Sequence, residues 1–220
     1  MSSSARLPLF PLPLVLFPGA ALPLHVFEPR YRALLADCRA GDGRFGIVTS
    51  VGPAPVVGAV GCVADLREVA MLADGRANIL VEGAERFAIA RLADARTPYL
   101  VAEVDPFEDG ADAPDELRAL DARVRSAFGR VARAARTIAD DSAPVPTLPA
   151  DPAALSFAVA ASIDLGLPVK QRLLASRSAA ERLAELDALL SAAVPGAERR
   201  AAVHTGARGN GHGPHTPPAS

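Results

Sequence analysis

Tryptophan is absent from this 220-residue chain, and aromatic residues together make up only 5% of it. Nucleic-acid surfaces built on stacked bases need aromatic platforms, so that scarcity counts against them. Charge of one sign is lacking as well. Lys and Arg number 23 against 25 Asp and Glu, a formal net charge of −2 at pH 7, and no global basic field exists to draw a phosphate backbone. Cysteine is limited to Cys38 and Cys62, with no Cys-x-x-Cys pair, which excludes a disulfide scaffold and points to a reducing, cytoplasmic compartment. The sequence holds no G-x-x-x-x-G-K-[ST] phosphate loop and no G-x-S-x-G nucleophile elbow. Long uninterrupted apolar runs are missing too. The stretch Leu7–Phe17 resembles a signal peptide until Pro8, Pro11 and Pro13 are noticed; each removes a backbone donor and forbids the helix that a signal or membrane span would form. A proline-studded edge strand is the expectation, and no membrane partner.

What is present suffices for a core. Half the residues are hydrophobic and the mean hydropathy is +0.21, so most of the chain can offset the entropy of ordering it. Three zones follow one another. Residues 6–108 carry short apolar runs broken by Gly and Pro, which is strand punctuation. Strands are expected near Leu7–Phe10, Leu14–Phe17, Leu22–Val26, Phe45–Thr49, Gly58–Met71, Ala77–Glu82, Arg86–Leu92 and Tyr99–Asp105, with Asp74-Gly75 as a tight hairpin turn. One helix interrupts them from about Pro29 to Arg39, where Tyr31, Leu34, Leu35 and Cys38 recur at helical spacing. So many short strands argue a closed antiparallel barrel.

Residues 114–192 lose that punctuation. Leu117, Leu120, Val124, Phe128, Val131 and Ile138 hold one face of a long helix. Asp151-Pro152 offers a cap and first turn for a second, Pro168 starts a third, and Ser178 with Glu181 forms a capping box opening a fourth. A helical bundle is therefore expected after the barrel, an α+β arrangement overall. Residues 195–220 are Gly, Pro and polar, and are expected to be a disordered tail.

Candidate chemistry is thin. Gly41-Asp-Gly43-Arg-Phe-Gly46 matches a dinucleotide fingerprint as a string, but a helix precedes it and a strand follows, the reverse of the order that motif needs. Lys170, the only lysine, invites a Ser-Lys dyad with Ser162 or Ser176, yet no oxyanion hole accompanies it. His204, His212 and His215 lack acidic or cysteine partners at ligand spacing. The helix carrying Arg118, Arg123, Arg125, Arg130, Arg133 and Arg136 also carries acids, which reads as a solvated face rather than a nucleic-acid one. No catalytic residue, metal or cofactor is expected. The densest cluster is Leu22-Pro-Leu-His-Val-Phe-Glu-Pro-Arg-Tyr31, at a strand-to-helix junction. His25, Phe27, Glu28, Arg30 and Tyr31 there make a candidate peptide-contact patch. The competing reading is structural, with Glu28 and Arg30 tying the helix to the barrel and Arg86 as their partner.

Several stretches together resemble a known family: Leu7-Pro-Leu-Phe-Pro-Leu12, Val15-Leu-Phe-Pro-Gly19, Leu22 to Tyr31, Phe45-Gly-Ile-Val48, Val60-Gly61, Ile79-Leu-Val-Glu-Gly83 and Arg86-Phe-Ala-Ile89, then Leu155-Ser-Phe-Ala-Val-Ala160, Lys170-Gln-Arg-Leu-Leu174 and Glu181-Arg-Leu183. In that order they are similar to the N-terminal substrate-binding domain of ATP-dependent Lon proteases, and to bacterial proteins that carry this domain alone. The resemblance implies a PUA-like β-barrel followed by an α-helical bundle. It implies recognition of unfolded or degron-bearing polypeptides in an adaptor-like role, with a protease or chaperone as partner. It does not imply proteolysis, since neither an ATPase nor a peptidase motif is present. RNA binding is the alternative, because PUA-like barrels also occur in RNA modification; near-neutral charge and few aromatics count against it.

Overall fold

The computed structural model describes residues 5–50, 55–145 and 147–209. Among the described residues, six strands and five helices follow one another: β1 (Ala5–Leu12), β2 (Ala21–Val26), α1 (Pro29–Ala40), β3 (Arg44–Thr49), β4 (Val60–Met71), β5 (Ala77–Ala93), β6 (Leu100–Pro106), α2 (Pro114–Ile138), α3 (Pro152–Ser162), α4 (Leu167–Ala175) and α5 (Ala179–Gly209). The fold is α+β, with a sheet in the order β2-β5-β4-β3-β1-β6 and a further β5–β6 pairing. Because β6 pairs with both β1 and β5, five strands close on themselves and β2 is left as an edge on β5.

The barrel is not purely antiparallel: β1 pairs with β3 in parallel, Leu9 opposite Gly46. A parallel pair needs a long crossover, and β2 with α1 supplies it here. The run Leu14–Phe17, expected as a strand, joins no ladder, although Leu16 and Phe17 are buried. The two expected strands Ala77–Glu82 and Arg86–Leu92 are one 17-residue strand, β5. It pairs with β4 from Ala77 to Ala88, with β2 from Ala77 to Glu82 and with β6 from Phe87 to Ala93.

Alternation along the strands feeds two apolar clusters. Phe10, Phe45, Ile47, Cys62, Ile79 and Val81 pack with Tyr31, Leu34, Leu35 and Cys38 of α1. Leu7, Leu9, Val48, Val63, Phe87, Ile89, Ala102 and Val104 form the other. Glycine is required where strands carry large neighbours: a Cβ on Gly61 would sit 2.6 Å from both the Ile47 carbonyl oxygen and the Phe87 ring. Phe87 therefore lies across the Gly61 backbone, and any side chain there would have to displace main chain.

Two compact units result, but not the contiguous pair 6–108 and 114–192. Met1–Asp112 joins Pro149–Ala179, and Ala113–Leu148 joins Ala180–Ser220. Thus α3 and α4 belong with the sheet rather than with a four-helix bundle. The reason is polar as well as apolar. Gln171 on α4 donates to the Val60 carbonyl at 2.9 Å and accepts from the Thr49 hydroxyl at 2.6 Å. The second unit is built from α2 and α5. Its helix α5 runs through Pro195 to Gly209, where a tail was expected, because Ala197 and Ala201 pack against Ala134. Residues 210–220, with His212 and His215, lie outside the described residues. Among the described residues, no helix is long and apolar enough to cross a membrane.

Candidate functional site

The β2–α1 junction is built by alternation. Val26 is buried, whereas Ala21, Pro23 and His25 face solvent. Phe27 follows on the outward side and is 58% exposed, unusual for so large an apolar ring. The His25 and Phe27 rings lie nearly parallel, 6.0 Å between centroids with 22° between planes. Nδ1 of His25 is 2.7 Å from Oδ1 of Asn78 on the neighbouring strand, which fixes the imidazole on the sheet. Val26 and Met71 both sit opposite Ala77, on either side of β5. Met71, 53% exposed, is therefore at the same end of the sheet as Phe27.

Pro29 opens α1 and Glu28 is its N-cap, but the Glu28 side chain makes no cap hydrogen bond. Arg30 engages it instead, Nε donating at 2.9 Å with a second guanidinium nitrogen at 2.8 Å. Tyr31 turns inward. Its ring stacks on Phe10 with centroids 3.9 Å apart, and the Arg30 guanidinium covers it at 4.6 Å. Burial pushes the Tyr31 phenol above its ordinary range, with Arg30 opposing. The five sequence candidates thus split: His25 and Phe27 form an exposed pair, Glu28 and Arg30 a surface ion pair, and Tyr31 a core residue that braces the junction.

Arg86 is not the partner of Glu28. It is 5% exposed and donates to the Leu174 and Ser176 carbonyls at 2.7 and 2.6 Å. Asp109 accepts its other end, and the Phe107 and Phe157 rings lie 5.0 and 5.1 Å away. A buried guanidinium needs such complete pairing, and here it fastens the end of α4 to the sheet. Nothing local in the sequence marks it beyond an arginine inside an apolar strand.

The other candidates resolve into structure. In the glycine string, Gly41 caps α1 and the N–H of Gly43 reaches the Cys38 carbonyl at 2.9 Å; Gly43 has φ +75°, and Gly46 lies inside β3. The Ser162 hydroxyl donates to the Ala158 carbonyl at 2.7 Å and the Ser176 hydroxyl to the Ser178 carbonyl at 3.2 Å. Arg118, Arg123, Arg125, Arg130 and Arg136 each reach a carboxylate of their own unit. His204, expected in a tail, lies on α5 with Nε2 3.1 Å from Asp140. Sequence reasoning missed Met71, Arg32 and Arg39, which line a cavity of about 240 Å³ with Leu35, Ala36 and Gly75.

Residues 6–192 match the family model described as the ATP-dependent protease La (LON) substrate-binding domain. Among curated proteins, the chain is 28% identical over 192 residues to a Lon protease of Azospirillum brasilense, covering 83% of this chain and 24% of that protein. It is 27% identical over 197 residues to Lon protease 2 of Herpetosiphon aurantiacus, covering 86% and 24%. The chain thus spans about a quarter of the length of these relatives. Among solved structures, a Lon N-terminal domain protein from Xanthomonas campestris superposes with a TM-score of 0.61 at 26% identity, covering 84% of this chain and 98% of that one. The N-terminal domain of a Mycobacterium avium complex Lon protease shares the fold, with a TM-score of 0.67 at 23% identity over 85% of this chain and 98% of that one.

Proposed function

The chain belongs to the LON substrate-binding domain family, and from that premise we propose that it is a non-catalytic module recognising unfolded or degron-bearing polypeptides. The observation that carries this reading is the exposed ring pair His25–Phe27 at the β2–α1 junction, with the His25 imidazole held by Asn78. An exposed aromatic on a rigid base offers an apolar client contact area at little further ordering cost. A client without structure orders as it binds, so the affinity should be micromolar or weaker, about −8 kcal/mol at best.

Transfer of the bound client to a protease or chaperone, in the cytoplasm, completes the reading; the free, buried Cys38 and Cys62 suit a reducing compartment. The hydroxyls of Ser162 and Ser176 donate to backbone carbonyls, which counts against a Ser-Lys dyad with Lys170. The arginines of α2 give nucleic acid no support, since their charge is met by neighbouring acids.

Amide-exchange footprinting of the chain with and without an unfolded client tests the site. Protection should appear at residues 21–31 and along the β4–β5 turn. Protection confined to other elements would move the binding surface elsewhere.

A further inference from the structure

We propose that the groove between α1 and the β4–β5 turn is an anchoring subsite for acidic client segments, taking two carboxylates that bracket one apolar side chain. This rests on the polypeptide-recognition reading and names the client chemistry within it.

Arg32 and Arg39 are seven residues apart on α1, two helical turns or about 10 Å of rise, so they project from one face. Leu35 and Ala36 lie between them, Met71 and Gly75 form the facing wall, and the half-open cavity of about 240 Å³ admits a side chain rather than a folded surface. Gly75 has φ +78°, as its tight turn demands, and its missing side chain makes room for the Arg32 guanidinium, which packs directly over it.

The charges decide the occupant. Among the described residues, Arg32 and Arg39 have no carboxylate partner, whereas the arginines beside them do. Glu28 is engaged by Arg30 at 2.8 Å and Asp74 by Arg76 at 2.6 Å. Asp37, on the same helix, accepts from the Tyr99 hydroxyl at 2.6 Å. Glu28 and Asp74 are thus ion-paired, while Asp37 and Asp42 accept hydrogen bonds from neutral donors; the two guanidiniums of Arg32 and Arg39 lie over an apolar floor, in a chain whose net charge is −2. A complementary ligand is acidic at both ends and apolar between. In an extended client, residues i, i+2 and i+4 share one face over about 13 Å, a span that two long, flexible arginine side chains can meet.

The test uses two labelled unstructured peptides, one repeating Glu-Ser-Leu-Ser-Glu and its counterpart with Gln for Glu, titrated with the full chain by fluorescence anisotropy at low salt. The Glu peptide should bind roughly fivefold more tightly, the size that two exposed ion pairs support, and high salt should erase the difference. The double variant Arg32→Gln/Arg39→Gln should bind both peptides as the unaltered chain binds the Gln peptide, with an unchanged melting curve. Equal affinity of the unaltered chain for the two peptides overturns the acidic subsite and leaves polypeptide recognition standing. Binding of neither peptide overturns recognition itself, and the subsite with it.

Discussion

Phe27 and Tyr31 sit four residues apart, yet one faces water and the other the core. Helical and strand periodicity place Tyr31 correctly, since it recurs with Leu34, Leu35 and Cys38 on the buried face of α1. Phe27 belongs to neither element, so neither period fixes which way its ring faces. The consequence is a pair of opposed substitutions. Phe27→Ser should leave the melting temperature unchanged while weakening client binding; Tyr31→Ala should cost about 3 kcal/mol, as truncating a stacked core ring does. Denaturant melts of both variants check this. Glu28→Ala should cost about 0.5 kcal/mol or less, because its ion pair with Arg30 is solvent-exposed. Arg86→Ala is the severe case at about 3 kcal/mol, since it leaves Asp109 and two carbonyls without their buried donor.

Buried thiols set the alkaline limit. Burial pushes the Cys38 and Cys62 thiols up to about 12 from 9.0. Burial and then the hydrogen bond to Asp37 push the Tyr99 phenol to about 12 from 10.0. The folded chain thus keeps protons that the unfolded chain releases. This contribution to stability is full below about pH 9 and is lost as pH rises toward 12. Equilibrium unfolding across pH 8–11 should show falling stability, and Cys38→Ala/Cys62→Ala should flatten the slope. An unchanged slope in that variant would remove the thiols from the account.

At the scale of elements, most strands and α1 were legible because two-residue and 3.6-residue apolar periods are local signals. The parallel β1–β3 pair was not, because alternation does not reveal which strand lies alongside. The end of α5 was hidden by composition. Gly196, Arg199 and Arg200 look like loop chemistry, and Pro195 removes a helical donor, yet Val194, Ala197 and Ala201 keep a buried stripe at helical spacing. Arg130 adds a two-pronged ion pair to Glu198, both contacts at 2.9 Å. Amide exchange should therefore remain slow from Gly196 to about Ala201. Exchange at the unstructured rate immediately after Pro195 would contradict the helix.

For the whole molecule, composition divides the chain into contiguous zones, whereas each of the two compact units is built from two separate stretches of chain. The chain leaves the sheet unit after Asp112 and rejoins it at Pro149, so α3 and α4 belong with the sheet. A fragment ending at Asp112 would lack Gln171, Leu174 and Phe157, and should fail to fold cooperatively. Thermal melting of that fragment beside the full chain checks this.

One titration tests the proposed polypeptide recognition at the His25–Phe27 pair most directly. A labelled, permanently unfolded protein such as reduced and carboxymethylated α-lactalbumin is titrated with the full chain and with Phe27→Ser, beside a labelled single-stranded RNA. The account predicts saturable micromolar binding of the polypeptide, several-fold weaker for Phe27→Ser, and no RNA binding at physiological salt. A flat polypeptide titration up to about 1 mM, where binding free energy falls to roughly −4 kcal/mol, or an affinity indifferent to Phe27→Ser, would contradict it.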